Sequence, residues 1–333
     1  MEKSHARNHH FISQVEQRLN AIDKSVKPEN QRIYEFSILN RDPAKIKNDD
    51  ASGVKIEKNL SRRDLYSLKQ LEGGGQHNLE SAFQRYEDDI SIITNSLLEK
   101  LKNPKAVNFE NELLRLYLLK LLNRLRNPYS IKMTLDSFSI LRGVVPGSQE
   151  LQSHFRSLDE ADRPQVKRIC DEFDISEEDY LAWLKTIYLL ILQPLDHDLN
   201  MLETMLKSVI DNSNVSMDFY IFQYAGNHEG AGVLVCDRGL IEQTHFPGSQ
   251  CHMFNIDTNT FAMIMSIDLK QQNIIPLVGR YADLDFKQSN IVPVHYKLND
   301  MVMLKKYNEL CVWLAHSKVY CANKKPYGLI VEQ

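Results

Sequence analysis

Apolar residues recur every three or four positions along several stretches of the chain, which is the pattern of amphipathic helices. Such stripes run over residues 78–101, 109–125 and 177–192. Residues 129–210 as a whole are predicted to be mainly helical. The charged residues 158–175 within them are expected to form either a solvated face or a connector.

Strand-like alternation of apolar and polar residues appears early in the chain at residues 32–39, and then again after residue 215. The polar residues 43–78 are predicted to form a loop that ends in a triple-glycine hinge. An apolar stripe over residues 300–322 predicts a closing helix. The later strand-like stretches, which are predicted to form one antiparallel sheet, are 217–224, 232–236, 250–256 and 261–267.

Helices in one block followed by strands in another predict an α+β fold, with the helical block packed against a small antiparallel sheet. We expect a single integrated domain over residues 1–333, because the opening strand and the closing helix are expected to share one core. The alternative is a split near residue 212. It would separate a mainly helical part, 1–212, from a sheet with a C-terminal helix, 213–333.

The composition is that of an ordinary globular protein, with 43% apolar and 25% charged residues. The formal net charge of −4 argues against a histone-like nucleic-acid binder, but not against a nuclease with positive charge confined to its cleft. The five cysteines form no C-x-x-C pair and are predicted to be reduced and buried. The chain shows no signal-peptide pattern and no apolar run that could span a bilayer, which predicts a cytoplasmic protein without a membrane partner.

The first candidate site residues lie near the N-terminus. His10 is expected to begin a helix, with Gln14 one turn later. In that arrangement an imidazole can act as a base or metal ligand, and a carboxamide can orient it. The alternative is a capping histidine beside a solvated tail.

Charged residues on the first two predicted helices supply further candidates. Glu80 and Glu87 share one side of the first helix, about 10 Å apart along its axis. That separation is long for two ligands of one ion, so a solvated helix flank is the alternative. Arg124 and Arg126 end the second helix, where they could bind a phosphate or simply interact with the helix dipole.

Asp237 follows a predicted strand, a position that suits either an active-site carboxylate or a turn former. The chain contains no phosphate-binding loop, Rossmann fingerprint, serine-hydrolase elbow or zinc-protease motif. The residues by themselves therefore point to no single reaction.

The succession of short motifs resembles the bacterial domain-of-unknown-function family numbered 4238, which opens with H-Y-x-P-Q. Ser13 stands where that family usually has proline, and Arg238-Gly239 where it has Asn-Pro. The corresponding stretches of this chain are His10-Phe11-Ile12-Ser13-Gln14, residues 61–66 and 78–89, Arg126-Asn127-Pro128, Cys236-Asp237-Arg238-Gly239, Phe246-Pro247-Gly248-Ser249 and residues 308–320.

Some members of that family are associated with defence against phage, so the resemblance implies a defence effector or sensor. It also implies that the candidate residues converge. The first hypothesis is a nuclease that hydrolyses phosphodiester bonds in RNA or DNA, with Mg²⁺ or Mn²⁺ as candidate metals. The second is a non-catalytic module that recognises a nucleotide, a phage component or another small-molecule trigger. The remaining alternatives are a toxin that acts on a protein target and a structural subunit whose polar residues form a buried hydrogen-bond network. The candidate site residues are His10, Gln14, Glu80, Glu87, Arg126 and Asp237.

Overall fold

The fold is a mixture of helices and small sheets, an α+β architecture as the sequence predicts. The computed structural model describes residues 8–69, 76–78, 80–104, 108–160, 163, 165–196, 199–245, 247–270 and 292–332. Among these residues no helix is both long and apolar enough to span a membrane. All five cysteines are free and buried, which confirms that prediction.

The long periodic stretches form helices close to where the pattern places them. The helix predicted at 177–192 is confirmed at both ends. It begins where it does because its N-cap, Ser176, accepts a hydrogen bond from the Asp179 amide. The described helices are α1 Gln14–Leu19, α2 Glu80–Lys100, α3 Glu110–Arg126, α4 Ile131–Ser137, α5 Gln149–Glu160, α6 Val166–Phe173, α7 Glu177–Leu192, α8 Met201–Asp211 and α9 Met301–Leu314.

The helix α6 lies within residues 158–175, so the prediction of a connector there was wrong in part. Only two apolar side chains, Ile169 and Cys170, are buried on this short helix, and so small a stripe is hard to see among charges. The closing helix was also predicted too long. It ends at Leu314, where Arg41 donates hydrogen bonds to the last carbonyl groups, including those of Val312 and Ala315.

The described strands are short, apart from those at the centres of the two main sheets. They are β1 Asn8–His10, β2 Arg32–Arg41, β3 Ala44–Asn48, β4 Val54–Lys55, β5 Ser61–Arg63, β6 Ser67–Lys69, β7 Gln76–Asn78, β8 Pro194–Asp196, β9 Leu199–Asn200, β10 Val215–Gln223, β11 Val235–Cys236, β12 Ile241–Gln243, β13 Ser249–Asp257, β14 Thr260–Asp268, β15 Val294–Leu298, β16 Lys318–Cys321 and β17 Ile330–Glu332.

Two larger sheets organise these strands. One has the order β12-β13-β14-β10-β15 and is antiparallel except that β15 runs parallel to β10. The other has the order β11-β16-β2-β3-β17. The prediction of one antiparallel sheet was therefore wrong for residues 232–236, because β11 pairs with β16 in the second sheet. Alternation shows which face of a strand is buried, but it does not identify the neighbouring strand.

Residues 43–78 were predicted to form a loop, but they contain the strands β3 to β7. In β3 the buried residues Ala44 and Ile46 alternate with Lys45 and Lys47. The lysines lower the hydrophobicity of the stretch, which hides its alternation. The triple glycine at 73–75, predicted to be a hinge, lies outside the described residues.

The described residues form two hydrophobic clusters. The larger one lies among α2, α3, α7 and one face of the sheet that contains β10. The smaller one packs α9 between β2 and the opposite face of that sheet. The shared core predicted for the opening strand and closing helix is confirmed, because Phe36 of β2 and Leu304 of α9 both lie in the smaller cluster. The single integrated domain stays a prediction. It is supported by the fact that β10 contributes residues to both clusters.

Candidate functional site

Three segments that are distant in sequence meet between the two clusters. The Asn127 side-chain amide, just after α3, donates to the carbonyl oxygen of Asp237 at 2.8 Å. Gly239, in the same turn as Asp237, packs against the N-terminal segment: a Cβ atom at Gly239 would lie 3.5 Å from the Ile12 side chain. The motifs at residues 10–14, 126–128 and 236–239 are thus neighbours in the fold.

A buried polar network lies beside this junction, centred on Glu16 of α1. The Glu16 carboxylate accepts hydrogen bonds from Lys120 and Asn123 of α3 and from the Ser13 hydroxyl. Burial alone would raise the pKa of Glu16, but the Lys120 ammonium and the Asn123 amide outweigh it and hold the pKa below its ordinary value. Glu16 is therefore a buried carboxylate that stays charged at neutral pH.

The network continues to Arg126 at the end of α3. The Nε and Nη2 atoms of Arg126 donate to the Asn123 side-chain oxygen at 3.1 and 2.8 Å. Its Nη1 atom forms an ion pair with Glu87 of α2. The guanidinium carbon lies 5.1 Å from the centre of the Phe83 ring. Arg126 is completely buried, whereas 25% of the Glu87 side chain is exposed, so Glu87 links the network to solvent.

Hydrogen bonds from two aromatic side chains fix the end of α3, and with it the position of Arg126. The Tyr66 hydroxyl donates to the Arg126 carbonyl oxygen. The Trp183 indole donates to the carbonyl oxygen of Leu125 at 2.7 Å. These bonds satisfy carbonyl groups that lack a partner at a helix C-terminus. Tyr66 stacks on His9, and the Tyr66 amide donates to His9 Nδ1 at 2.9 Å. His9 therefore helps to hold Tyr66 in position.

His10 lies in β1, opposite Ser61 of β5. Burial lowers the pKa of His10 to about 4, and the nearby charges of Arg126 and Arg18 act in the same direction. Its Nε2 atom donates to the carbonyl oxygen of Glu57 at 3.2 Å. The ring is therefore neutral at pH 7 with its proton on Nε2. Backbone hydrogen bonds to the carbonyl groups of Glu57 and Ile56 act to raise the pKa of His10, but they do not outweigh burial.

The helix predicted to start at His10 was wrong, since α1 begins at Gln14. His10 and Gln14 therefore do not share a helix face, and the Gln14 side chain bonds to Arg18 on α1. Glu80 begins α2, but its side chain lies outside the described residues. Of the predicted site residues, Glu87 and Arg126 form an ion pair, and the Arg126 charge acts on the pKa of His10.

Asp237 is buried and its carboxylate serves the backbone. It accepts hydrogen bonds from the amides of His316 at 2.7 Å, Ser317 at 2.7 Å and Lys318 at 2.9 Å. This carboxylate clamps the link between α9 and β16. The side chain of Asp237 therefore faces residues 316–318 rather than the network around Arg126.

Sequence reasoning missed Glu16, Lys120 and Asn123. A signal for two of them exists, because Lys120, Asn123 and Arg126 are spaced by three residues along α3 and so lie on one side of it. Glu16 carries no such signal, because α1 is only six residues long.

Metal ligands are not grouped in the described part of the chain. No cluster of three or more His, Cys, Asp or Glu side chains there could hold an ion. The carboxylates of Glu16 and Glu87 instead face Lys120 and Arg126. The candidate metals Mg²⁺ and Mn²⁺ therefore stay predictions, with Glu80 as a ligand that the structure does not place.

A concave feature lies apart from this network, between α2, α3 and α8, with a cavity volume of about 390 Å³. Its walls are mainly apolar, and the Asp89–Arg115 ion pair lies among its lining residues, with an N–O distance of 2.7 Å. Its apolar lining residues are Ile93, Leu114, Leu118, Leu119, Leu199, Leu206 and Ile210. We call this feature the helical groove.

The chain matches no protein-family model, no curated protein and no solved structure. The resemblance to the family numbered 4238 therefore stays a prediction that rests on the succession of its motifs. A function has to be argued from the geometry of the site.

Proposed function

We propose that the protein is a bacterial anti-phage effector that hydrolyses phosphodiester bonds in RNA or DNA, with His10, Arg126 and Glu87 as its reactive centre. One observation carries this proposal: a completely buried guanidinium forms an ion pair with the partly exposed Glu87, and the charge of that guanidinium helps to lower the pKa of the buried imidazole of His10. The only half-buried member of the centre is Glu87, the counter-ion of that guanidinium. A base and an anion-binding group beside an exposed edge suit attack on a phosphodiester.

His10 acts as the general base in this proposal. A base must be unprotonated at working pH, and a pKa of about 4 meets that condition. A pKa that low also makes a weak base. A phosphate bound to Arg126 brings negative charge close to His10, which offsets the repulsion from the guanidinium and raises the pKa of His10 towards neutrality. Substrate binding therefore strengthens the base.

Arg126 binds the phosphate and stabilises the charge that develops in the transition state. Its planar guanidinium suits two phosphate oxygens. The Asn123 side-chain oxygen holds this guanidinium from one side, because it accepts hydrogen bonds from the Nε and Nη2 atoms of Arg126. A phosphate oxygen competes with Glu87 for the Nη1 atom, and the exposed edge of Glu87 lets that side chain turn towards solvent.

The assay of this proposal is cleavage of labelled tRNA, single-stranded RNA and plasmid DNA by wild-type protein and the His10→Ala variant. Mg²⁺, Mn²⁺ and a chelator are compared in parallel. We expect at least one substrate to be cut by the wild type and left intact by the variant, and the chelator shows whether an ion takes part. Cleavage of none of these substrates by folded wild-type protein would refute the proposed chemistry.

The role in defence rests on the motif resemblance alone and has its own test. Cells that express the wild-type protein are expected to give fewer plaques on phage challenge than cells that express His10→Ala. Equal plaque numbers, at equal protein levels, would show that the proposed activity plays no part in defence against that phage.

A second candidate function is a ligand-binding sensor, and the helical groove favours it. Apolar walls with charged residues at the rim fit an amphipathic small molecule. An environment-sensitive dye, anilinonaphthalene sulfonate, is expected to bind wild-type protein and to bind Leu118→Glu much less. Equal dye binding by the two folded proteins would remove the groove from consideration.

A further inference from the structure

The surface next to the proposed centre displays a pair of stacked aromatic rings. The rings of Tyr129 and His316 lie 4.2 Å apart and are nearly parallel, at 13°. Tyr129 is half-buried and His316 is exposed. The edges of Phe11 and Phe173 pack against Tyr129 at centroid distances of 5.6 and 5.5 Å. The pair is therefore held in place from within.

Arginine side chains surround this pair in excess of carboxylates. Arg62 donates to the Tyr129 hydroxyl at 3.0 Å. Its acidic partner, Glu172, is shared with Arg168. Sharing one carboxylate between two arginines leaves positive charge uncompensated on this side of the rings.

Arg238 adds a second source of unpaired positive charge. Its Nη1 atom contacts the Met133 sulfur at 3.5 Å. Its Nε atom is buried and has no hydrogen-bond partner. Within the described ranges, Arg238 forms no ion pair with a carboxylate. A buried donor without a partner is costly. The rest of the half-buried guanidinium carries a charge that no carboxylate of the described residues pairs with, and a phosphate would offset that charge.

The charges around His316 also show an excess of positive charge on this surface. Burial lowers the pKa of His316, and although the Asp237 carboxylate opposes this, the charges of Arg238, Arg41 and Arg62 lower the pKa further. His316 is therefore a neutral ring at pH 7. It offers a flat aromatic face that a nucleobase can stack on.

We propose that the Tyr129–His316 pair, together with Arg238 and Arg62, binds one nucleotide of a single-stranded nucleic acid, with the base on His316 and the phosphate on Arg238. This inference rests on the nucleic-acid substrate proposed above and adds how that substrate is held. A single strand is favoured because a paired base cannot expose its face for stacking.

The location of these rings suits a substrate-holding role. Tyr129 follows the turn Arg126-Asn127-Pro128 directly, and Phe11 follows His10. Phe11 contacts Tyr129 and lies 5.9 Å from the Arg62 guanidinium. A strand that stacks on His316 is therefore held beside the segments that carry the proposed centre.

The test measures binding of a labelled twelve-nucleotide single-stranded RNA over a series of salt concentrations. It uses the His10→Ala background with chelator, so that cleavage does not interfere. We expect a further His316→Ala change to weaken binding about tenfold and to leave the salt dependence unchanged. Arg238→Ala is expected to weaken binding and to reduce the slope of log Kd against log salt by about 0.7, because one phosphate contact is lost.

Matched controls are His228→Ala and Arg156→Ala, which remove a half-buried histidine and an exposed arginine on other elements. We expect both to bind like the background protein. Duplex RNA is expected to bind more weakly than the single strand, and adenosine monophosphate to compete poorly. Equal competition by the mononucleotide would overturn the assignment to a strand.

Failure of this inference can be told apart from failure of the proposed chemistry. If His316→Ala and Arg238→Ala bind like the controls, or if no strand binds, the inference is overturned. Cleavage that depends on His10 but not on His316 would overturn it while leaving the chemistry intact. A third outcome is that both variants lose binding while the wild-type protein cuts no substrate. That outcome would support the binding surface and refute the proposed chemistry.

Discussion

The ion pair between Arg126 of α3 and Glu87 of α2 joins a completely buried cation to a partly exposed anion. Loss of such a pair costs more free energy when the charge left behind is the buried one. If Glu87 is lost, Arg126 keeps its charge in a buried position, and the energetic cost of that charge is no longer offset. The pair therefore contributes to stability as well as to the proposed centre.

Glu87→Ala is expected to reduce the free energy of unfolding by about 2 kcal/mol, a value below that of fully buried pairs because Glu87 is partly exposed. Urea unfolding measures the change. Asp89→Ala is the matched control, because Asp89 lies on the same helix and pairs with Arg115 at the surface. It is expected to cost less than about 1 kcal/mol. Equal losses would show that burial of Arg126 does not determine the effect.

The buried, neutral His10 makes stability depend on pH. The folded pKa of about 4 lies below the unfolded value of 6.5, so between these two values the unfolded chain binds more protons than the folded one. Stability is therefore lost as pH falls from about 6.5 to about 4, by up to roughly 1.4 kcal/mol per pH unit. Urea titrations at several pH values test this, with His10→Gln as the variant that lacks the titrating group.

The wild-type protein is expected to lose more stability than His10→Gln over that range. Glu16, whose pKa is also lowered, loses its own contribution as pH falls through its folded pKa, below the ordinary value, and it does so in both proteins. Identical pH profiles for the two proteins would mean that His10 is not held neutral by the fold.

Asp237→Asn is expected to destabilise the protein by about 1.5–3 kcal/mol, because charge-assisted hydrogen bonds to three backbone amides are weakened. Hydrogen exchange should show the loss locally, at the amides of residues 316–318. Cleavage should persist at a reduced level. A stable variant with unchanged exchange and no cleavage would instead make Asp237 a catalytic residue.

The elements that sequence patterning predicts best are those with long apolar stripes, such as α3 and α7. Residues 44–48 show the limit of that patterning. Lys45 and Lys47 obscure the alternation of Ala44 and Ile46, and only pairing with β2 and β17 makes this segment a strand. The partner of β11 is likewise a matter of tertiary structure, which no local pattern encodes.

The candidate site could be predicted in part. His10, Glu87 and Arg126 were identified as polar residues in recognisable motifs. Lys120 and Asn123 were missed because they lie inside an apolar helix, where polar residues are usually taken as interruptions. Gln14 was included on helical spacing from His10, but His10 lies in a strand, so the spacing does not apply.

The most direct test of the proposed centre is the initial rate of cleavage on the best substrate by His10→Ala, Arg126→Lys and Gln14→Ala. We expect His10→Ala to be at least about 100-fold slower and Arg126→Lys to be strongly slowed, because lysine keeps the charge but not the planar fork. Gln14→Ala should stay close to the wild-type rate. Wild-type rates for His10→Ala, or an equal loss in Gln14→Ala, would contradict a centre built on His10 and Arg126.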